Sequence, residues 1–102
     1  MTRERLPNRR RCETRQFEHA GHRFTVSLGF YRDGRPAEIF LSNGKAGSGL
    51  EAVARDAAIV VSLALQSGVH LETIRSALTK DHDGSPATLL GSALDALIGG
   101  AR

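Results

Sequence analysis

The stretch LGFYRDGRPAEIFLSNGKAGSGLEAVARDAAIVVSLALQSGVHL, residues 28–71, decides the fold. Its turn, Arg32-Asp33-Gly34-Arg35-Pro36, separates two runs with β patterning. Its glycine-rich loop, Asn43 to Gly49, leads from the second run into a helix that carries the main apolar face. The segment reads as strand, turn, strand, loop, helix.

Working outward, Phe24, Val26, Leu28 and Phe30 alternate with Thr25, Ser27, Gly29 and Tyr31, the period-two pattern of a half-buried strand. Gln16 to His19 reads as a shorter strand before it, joined through Ala20-Gly21-His22. Ala37 to Ser42 supplies the third, with Ile39 and Leu41 on one face and Phe40 on the other. The long helix is expected to begin near Ser48 or Gly49, where Ser48 and Glu51 fit a capping box, and to end near Gly68. Leu50, Ala54, Ala57, Val61, Ala64 and Leu65 form its expected buried set. Val53, Val60 and Leu63 widen the apolar face enough to predict burial on more than one side. A second helix is expected from Leu71 to about Thr79. A third follows Pro86, from about Ala87 to Ile98, burying Leu89, Leu90, Ala93, Leu94 and Leu97. The fold class is α+β: a short antiparallel meander of about three strands, then two or three helices packed on one sheet face.

Length and charge bound the function. A chain of 102 residues, 40% of them hydrophobic, supports one small domain, and stability at this size favours self-association as a homodimer. No run approaches the roughly 18 apolar residues of a membrane span, and the N-terminus lacks a secretory signal's apolar core, so the expectation is a cytoplasmic protein without membrane contact. Residues 1–16 hold six arginines against two glutamates, while the remainder carries eight basic and nine acidic residues. The whole basic excess of a chain with net charge +3 therefore sits at one end. Residues 1–15 are expected to be a flexible basic arm, 16–98 the domain, and 99–102 a frayed C-terminus. Arg3, Arg5, Arg9, Arg10, Arg11 and Arg15 suit either nucleic-acid phosphates or an acidic protein surface.

Two further candidates carry chemistry. Gly44, Lys45, Gly47 and Ser48 place a cation and permissive backbone at a helix start, an arrangement suited to a phosphate or nucleotide, although the spacing matches neither a P-loop nor a dinucleotide fingerprint. Arg55 and Asp56 interrupt the apolar helix and can pair with Lys45, Glu38 or a partner chain. His19, His22, His70 and His82 lack metal-ligand spacing, leaving only a conceivable Cys12, His19, His22 group, so no metal is expected. No G-x-S-x-G elbow is present, and no residue is assigned as catalytic.

Asp33-Gly34-Arg35, Glu38-Ile39-Phe40, Lys45 with Gly47, Ser62-Leu63, Leu65-Gln66, Gly68-Val69 and Leu71-Glu72 together resemble the TSCPD domain, over roughly Phe24 to Lys80. That module occurs near the C-terminus of adenosylcobalamin-dependent ribonucleotide reductases and as short free-standing proteins. The arm Leu6-Pro7-Asn8-Arg9-Arg10-Arg11 and the tail Asp83-Gly84-Ser85-Pro86 also look like the free-standing members. The resemblance implies a non-catalytic accessory module connected with deoxynucleotide synthesis and a protein partner in nucleotide metabolism. Ribonucleotide reduction needs a thiyl-forming cysteine and a reducing pair, and this chain carries one cysteine. Adenosylcobalamin therefore enters only by association with the family. No cofactor is expected on this chain alone.

Overall fold

A computed structural model describes residues 2–43 and 49–99. Three strands, β1 (Cys12–His19), β2 (His22–Phe30) and β3 (Pro36–Ser42), precede three helices, α1 (Gly49–Gln66), α2 (Leu71–Ala77) and α3 (Leu89–Ile98). The sheet is antiparallel in the order β1-β2-β3, as expected for a meander. Among the described residues no helix is long and apolar enough to cross a membrane.

Both hairpins follow from local chemistry. Ala20 and Gly21 both adopt positive φ (52° and 80°) between the paired residues His19 and His22. That combination matches the strand twist in a two-residue turn. In the second hairpin the Gly34 amide donates to the Tyr31 carbonyl at 3.0 Å, and Gly34 takes the left-handed φ of 94° that its missing Cβ permits. Asp33 accepts from the Arg35 amide at 3.1 Å and from Arg35 Nε at 2.7 Å.

The core lies between the sheet and the helices. Val26, Leu28 and Phe30 of β2 meet Ile39 and Leu41 of β3, and onto them pack Ala54, Ala58, Val61 and Leu65 of α1, with Leu71, Ala93 and Leu94; Phe24 is buried as well, its ring stacked on that of Phe17. From Phe24 to Leu28 and from Ile39 to Ser42 the alternation read in β2 and β3 is the alternation of burial, with Phe40 on the opposite, exposed face. α1 stops where Gly68 turns left-handed (φ 97°): its amide donates to the Leu65 carbonyl, and the Val69 amide to Ala64. This is the glycine C-cap that leaves no last-turn carbonyl without a partner. Thr88 caps α3, its Oγ1 accepting from the Gly91 amide at 3.1 Å. Arg75 of α2 reaches Asp95 of α3 at 2.8 Å, and His19 Nδ1 lies 2.7 Å from Ser92 Oγ, tethering α3 to β1.

The first difference from expectation is the length of β1. It starts at Cys12, within the basic arm rather than at Gln16, and pairs along the whole of β2 from Cys12↔Gly29 to His19↔His22. Edge pairing rests on main-chain hydrogen bonds, which polar residues supply as well as apolar ones. The Thr14 and Ser27 hydroxyls add a cross-strand bond of 3.0 Å. Residues before β1 also lie against the domain: the Glu4 amide donates to the Gln66 carbonyl, and Tyr31 Oη to the Glu4 carbonyl. Burial, followed by the nearby Glu4 carboxylate, pushes the Tyr31 phenol above its usual range. Gly29 and Tyr31, read as lying on the opposite face from the core, are nevertheless buried. The Glu38 side chain crosses Gly29 so closely that a Cβ there would fall 2.9 Å from its Oε2, and Arg10 pairs with Glu38 from above.

A second difference concerns α1. Ala58, absent from the expected set, is buried; Leu50 is exposed, and Ala57 and Ala64 are half-buried. Val53, Val60 and Leu63, expected to lie under a second layer, face outward. The cause is topological: α1 leans on β3, while α3 covers β1 and β2, and no element among the described residues packs on the far side of α1.

Candidate functional site: the free edge of β3 and the outer face of α1

β3 is an edge strand, and α1 runs along its free side. Glu51, Arg55, Ser62 and Gln66 fall on one stripe of the helix. Three of them serve the strand end to end. Ser62 Oγ accepts from the Ile39 amide at 2.9 Å and donates to the Ile39 carbonyl at 3.2 Å. Gln66 Nε2 donates to the Ala37 carbonyl at 3.1 Å, and Glu51 accepts from the Asn43 amide at 3.2 Å. An uncovered edge is a template for pairing with another chain, and these side chains occupy the Ala37 carbonyl, both groups of Ile39 and the Asn43 amide instead. The geometry thus disfavours addition of a foreign strand here.

Above the capped edge lies an open groove of about 610 Å³. Phe40, Ile59 and Leu63 give it apolar walls, and Arg3 and Arg55 contribute cations. The apolar surface continues over the helix onto Val60 and Val53, which are 65% and 64% exposed, while Phe40 is 55% exposed. The helix is thus apolar on its core side and on its outer side, with the stripe from Glu51 to Gln66 as a polar strip between them. The charges on α1 are Glu51, Arg55 and Asp56, and neither Arg55 nor Asp56 has an ion-pair partner among the described residues.

The residues singled out from sequence fare differently. Gly44, Lys45, Gly47 and Ser48 lie outside the described residues, and so does the Ser48 half of the expected capping box. The six arginines do not form one cluster. Arg10 pairs with Glu38 and donates to the Pro7 carbonyl; Arg11 stacks its guanidinium 4.2 Å from the centre of the Phe30 ring; Arg15 lies 3.8 Å from Glu13. Arg3, Arg5 and Arg9 have no carboxylate partner among the described residues. Arg35, outside the expected set, forms the denser network: Asp33 at 2.7 Å and Glu4 at 2.9 Å, with the guanidinium 4.7 Å from the Tyr31 ring centre. Among the described residues no group of three or more His, Cys, Asp or Glu side chains is gathered closely enough to hold a metal ion.

Sequence reasoning missed the roles of Ser62 and Gln66. Their signal was available: a serine and a glutamine four apart, on the stripe of Glu51 and Arg55, mark a polar side of a helix otherwise apolar.

Known proteins place the chain in context. A vitamin B12-dependent ribonucleotide reductase of Rhodopirellula baltica is 42% identical over 72 residues, covering 71% of this chain but 7% of that protein. Reductases of the same description from Agrobacterium fabrum and Bradyrhizobium diazoefficiens are 42% and 40% identical over 77 residues, 76% of this chain and 6% of each. The chain thus corresponds to a small part of these relatives. No solved structure matches it. The TSCPD domain model matches residues 1–99, nearly the full length, and the chain belongs to the TSCPD domain family.

Proposed function

We propose that this chain is a non-catalytic association module connected with ribonucleotide reduction, and that it works by covering the outer face of α1 with protein. One observation carries the reading: Val53, Ile59, Val60 and Leu63 form an outward apolar face on a helix whose opposite side already fills the core. The connection with reduction is supported by the family and by the reductases that share this region. Chemistry of its own is disfavoured by the single cysteine, because the reaction consumes two thiols and propagates through a third.

The test is association of the purified chain with itself and with a purified vitamin B12-dependent ribonucleotide reductase, for the wild type and for a Val53→Glu, Val60→Glu variant. Association with either, lost in the variant, supports the reading. No association with either, or association indifferent to the substitutions, overturns it. Turnover of a ribonucleotide by the chain alone with adenosylcobalamin would also contradict it.

A second reading rests on Arg3, Arg5 and Arg9, whose guanidinium groups meet no carboxylate among the described residues and are open to nucleic-acid phosphates. It requires binding that weakens steeply with salt and disappears when these three are replaced by alanine.

A further inference from the structure

We infer that Arg9, Arg11 and Arg32 form a phosphate-binding site, a cavity of about 190 Å³ between the segment before β1 and the turn from β2 to β3. No residue of α1 lines it, so it stands apart from the covering of that helix. It goes beyond the second reading above by setting the turn residue Arg32 beside Arg9.

The charge around this cavity is uncompensated. Arg9, Arg10 and Arg11 line it from one side of the chain and Arg32 from another, and no carboxylate lines it. Arg10 is neutralised by Glu38, with which it pairs. The other three have no carboxylate partner among the described residues. The acids that flank them in sequence are engaged elsewhere: Asp33 pairs with Arg35 at 2.7 Å, Glu4 with Arg35 at 2.9 Å, and Glu13 lies 3.8 Å from Arg15. Three like charges gathered without an acid repel one another, and an anion seated among them removes that repulsion.

The walls are held in place without a ligand. The Arg11 guanidinium lies 4.2 Å from the centre of the Phe30 ring, and the Arg11 carbonyl accepts from the Phe30 amide at 3.0 Å. Arg10 fastens the same segment to β3 through Glu38 and donates to the Pro7 carbonyl at 2.7 Å. Across the cavity, the Gly34 amide closes the turn onto the Tyr31 carbonyl at 3.0 Å, which fixes the backbone that carries Arg32. Donors already anchored in this way lose less freedom when a ligand binds.

Size and donors select the ligand class. Sites for drug-sized molecules occupy about 300–1,000 Å³, so this smaller cavity admits one charged group rather than a whole molecule. A phosphate monoester brings up to about two negative charges and three acceptor oxygens, which three guanidinium groups meet together, whereas a carboxylate brings a single charge. Phe30 and Tyr31 are buried and their rings already carry Arg11 and Arg35, which leaves no platform on which a base could stack. The site therefore reads the phosphate and not what is attached to it.

The test is isothermal titration calorimetry of the full chain at low ionic strength with sodium triphosphate, ATP and a short single-stranded oligothymidylate, and with citrate as an anion that lacks phosphorus. The wild type should bind the phosphate probes. Arg9→Gln, Arg11→Gln and Arg32→Gln should each weaken binding by about tenfold or more, the loss of one charge-assisted contact. Arg23→Gln, at an exposed position of β2 away from the cavity, and Val60→Glu, on the α1 face, should bind as the wild type does. Far-UV circular dichroism checks the fold of each variant, and Arg32→Gln, exposed and without an ion pair, decides the matter should Arg11→Gln fail to fold. Tighter binding of the oligothymidylate with the same losses assigns the phosphate to a nucleic-acid backbone, tighter binding of triphosphate and ATP assigns it to a free phosphate, and either order supports the site. No binding of any phosphate probe, equal binding of citrate, or binding that Arg32→Gln leaves unchanged overturns it. Oligothymidylate binding that is lost on replacing Arg3, Arg5 and Arg9 but indifferent to Arg32→Gln would overturn the cavity while leaving the second reading in place.

Discussion

One hydroxyl, Ser62 Oγ, occupies both free main-chain groups of Ile39: it accepts from the amide at 2.9 Å and donates to the carbonyl at 3.2 Å. Helix α1 and strand β3 are thereby joined by polar bonds at the edge and by apolar contact beneath it, where Ala58, Val61 and Leu65 meet Ile39 and Leu41. The edge bonds fix how far the helix leans over the strand, and so which side of the helix is left outside.

Ser62→Ala removes both bonds and leaves a half-buried amide and carbonyl without a protein partner. The expected cost is about 1–3 kcal/mol, read as a lower urea midpoint with an unchanged denaturant slope. An unaltered midpoint would show that water replaces the hydroxyl without penalty.

Leu65→Ala deletes a core side chain of α1 that is 5% exposed and should cost on the order of 2–5 kcal/mol. Val60→Ala, five residues earlier on the outer face, should change the stability of the monomer by no more than about 0.5 kcal/mol at dilutions where association is negligible. Equal losses at the two positions would mean that the two sides of α1 had been confused.

Ala20 holds a φ of 52° beside Gly21, a region that costs a residue with a Cβ about 1–2 kcal/mol and that asparagine tolerates better. Ala20→Asn should therefore stabilise the chain by about 0.5–1 kcal/mol, raising Tm by a few degrees in thermal unfolding. A fall in Tm would contradict the turn geometry.

The Arg35 backbone amide, and after it the Arg35 guanidinium, hold the Asp33 carboxyl below its ordinary range. A depressed native value means that the unfolded chain binds the proton more readily, so the contribution is present above the usual aspartate value of about 3.9 and is lost as pH falls through the native value. Asp33→Asn should lower the urea midpoint at about pH 6, and the gap from wild type should narrow progressively as pH falls below the usual aspartate value of about 3.9. A gap that is constant with pH would show that the charge on Asp33 contributes nothing.

The parts of the fold legible in the sequence were those written in side-chain periodicity or backbone permissiveness. Phe24, Val26 and Leu28 announced β2 by alternation, and Gly68 announced the end of α1. The length of β1 was not legible, because Cys12 to Arg15 join the sheet through main-chain bonds that polar side chains neither reveal nor oppose. Glu38 and Arg10 were equally silent: they are 28 positions apart and meet because the segment before β1 folds back over β3. The apolar breadth of α1 was legible, and its meaning was not. Val53, Val60 and Leu63 read as core, since periodicity records that a helix face is apolar and not whether another element of the chain reaches it.

The central claim, that protein covers the outer face of α1, is tested most directly by alkylation of a thiol placed there, Val60→Cys in a Cys12→Ser background. The account predicts that its reaction with a maleimide slows by about tenfold or more as chain or reductase concentration rises, while the thiol of a control carrying Glu18→Cys, on the exposed surface of β1, keeps its rate. A position-60 thiol that reacts at the control rate at every concentration of both proteins would contradict it.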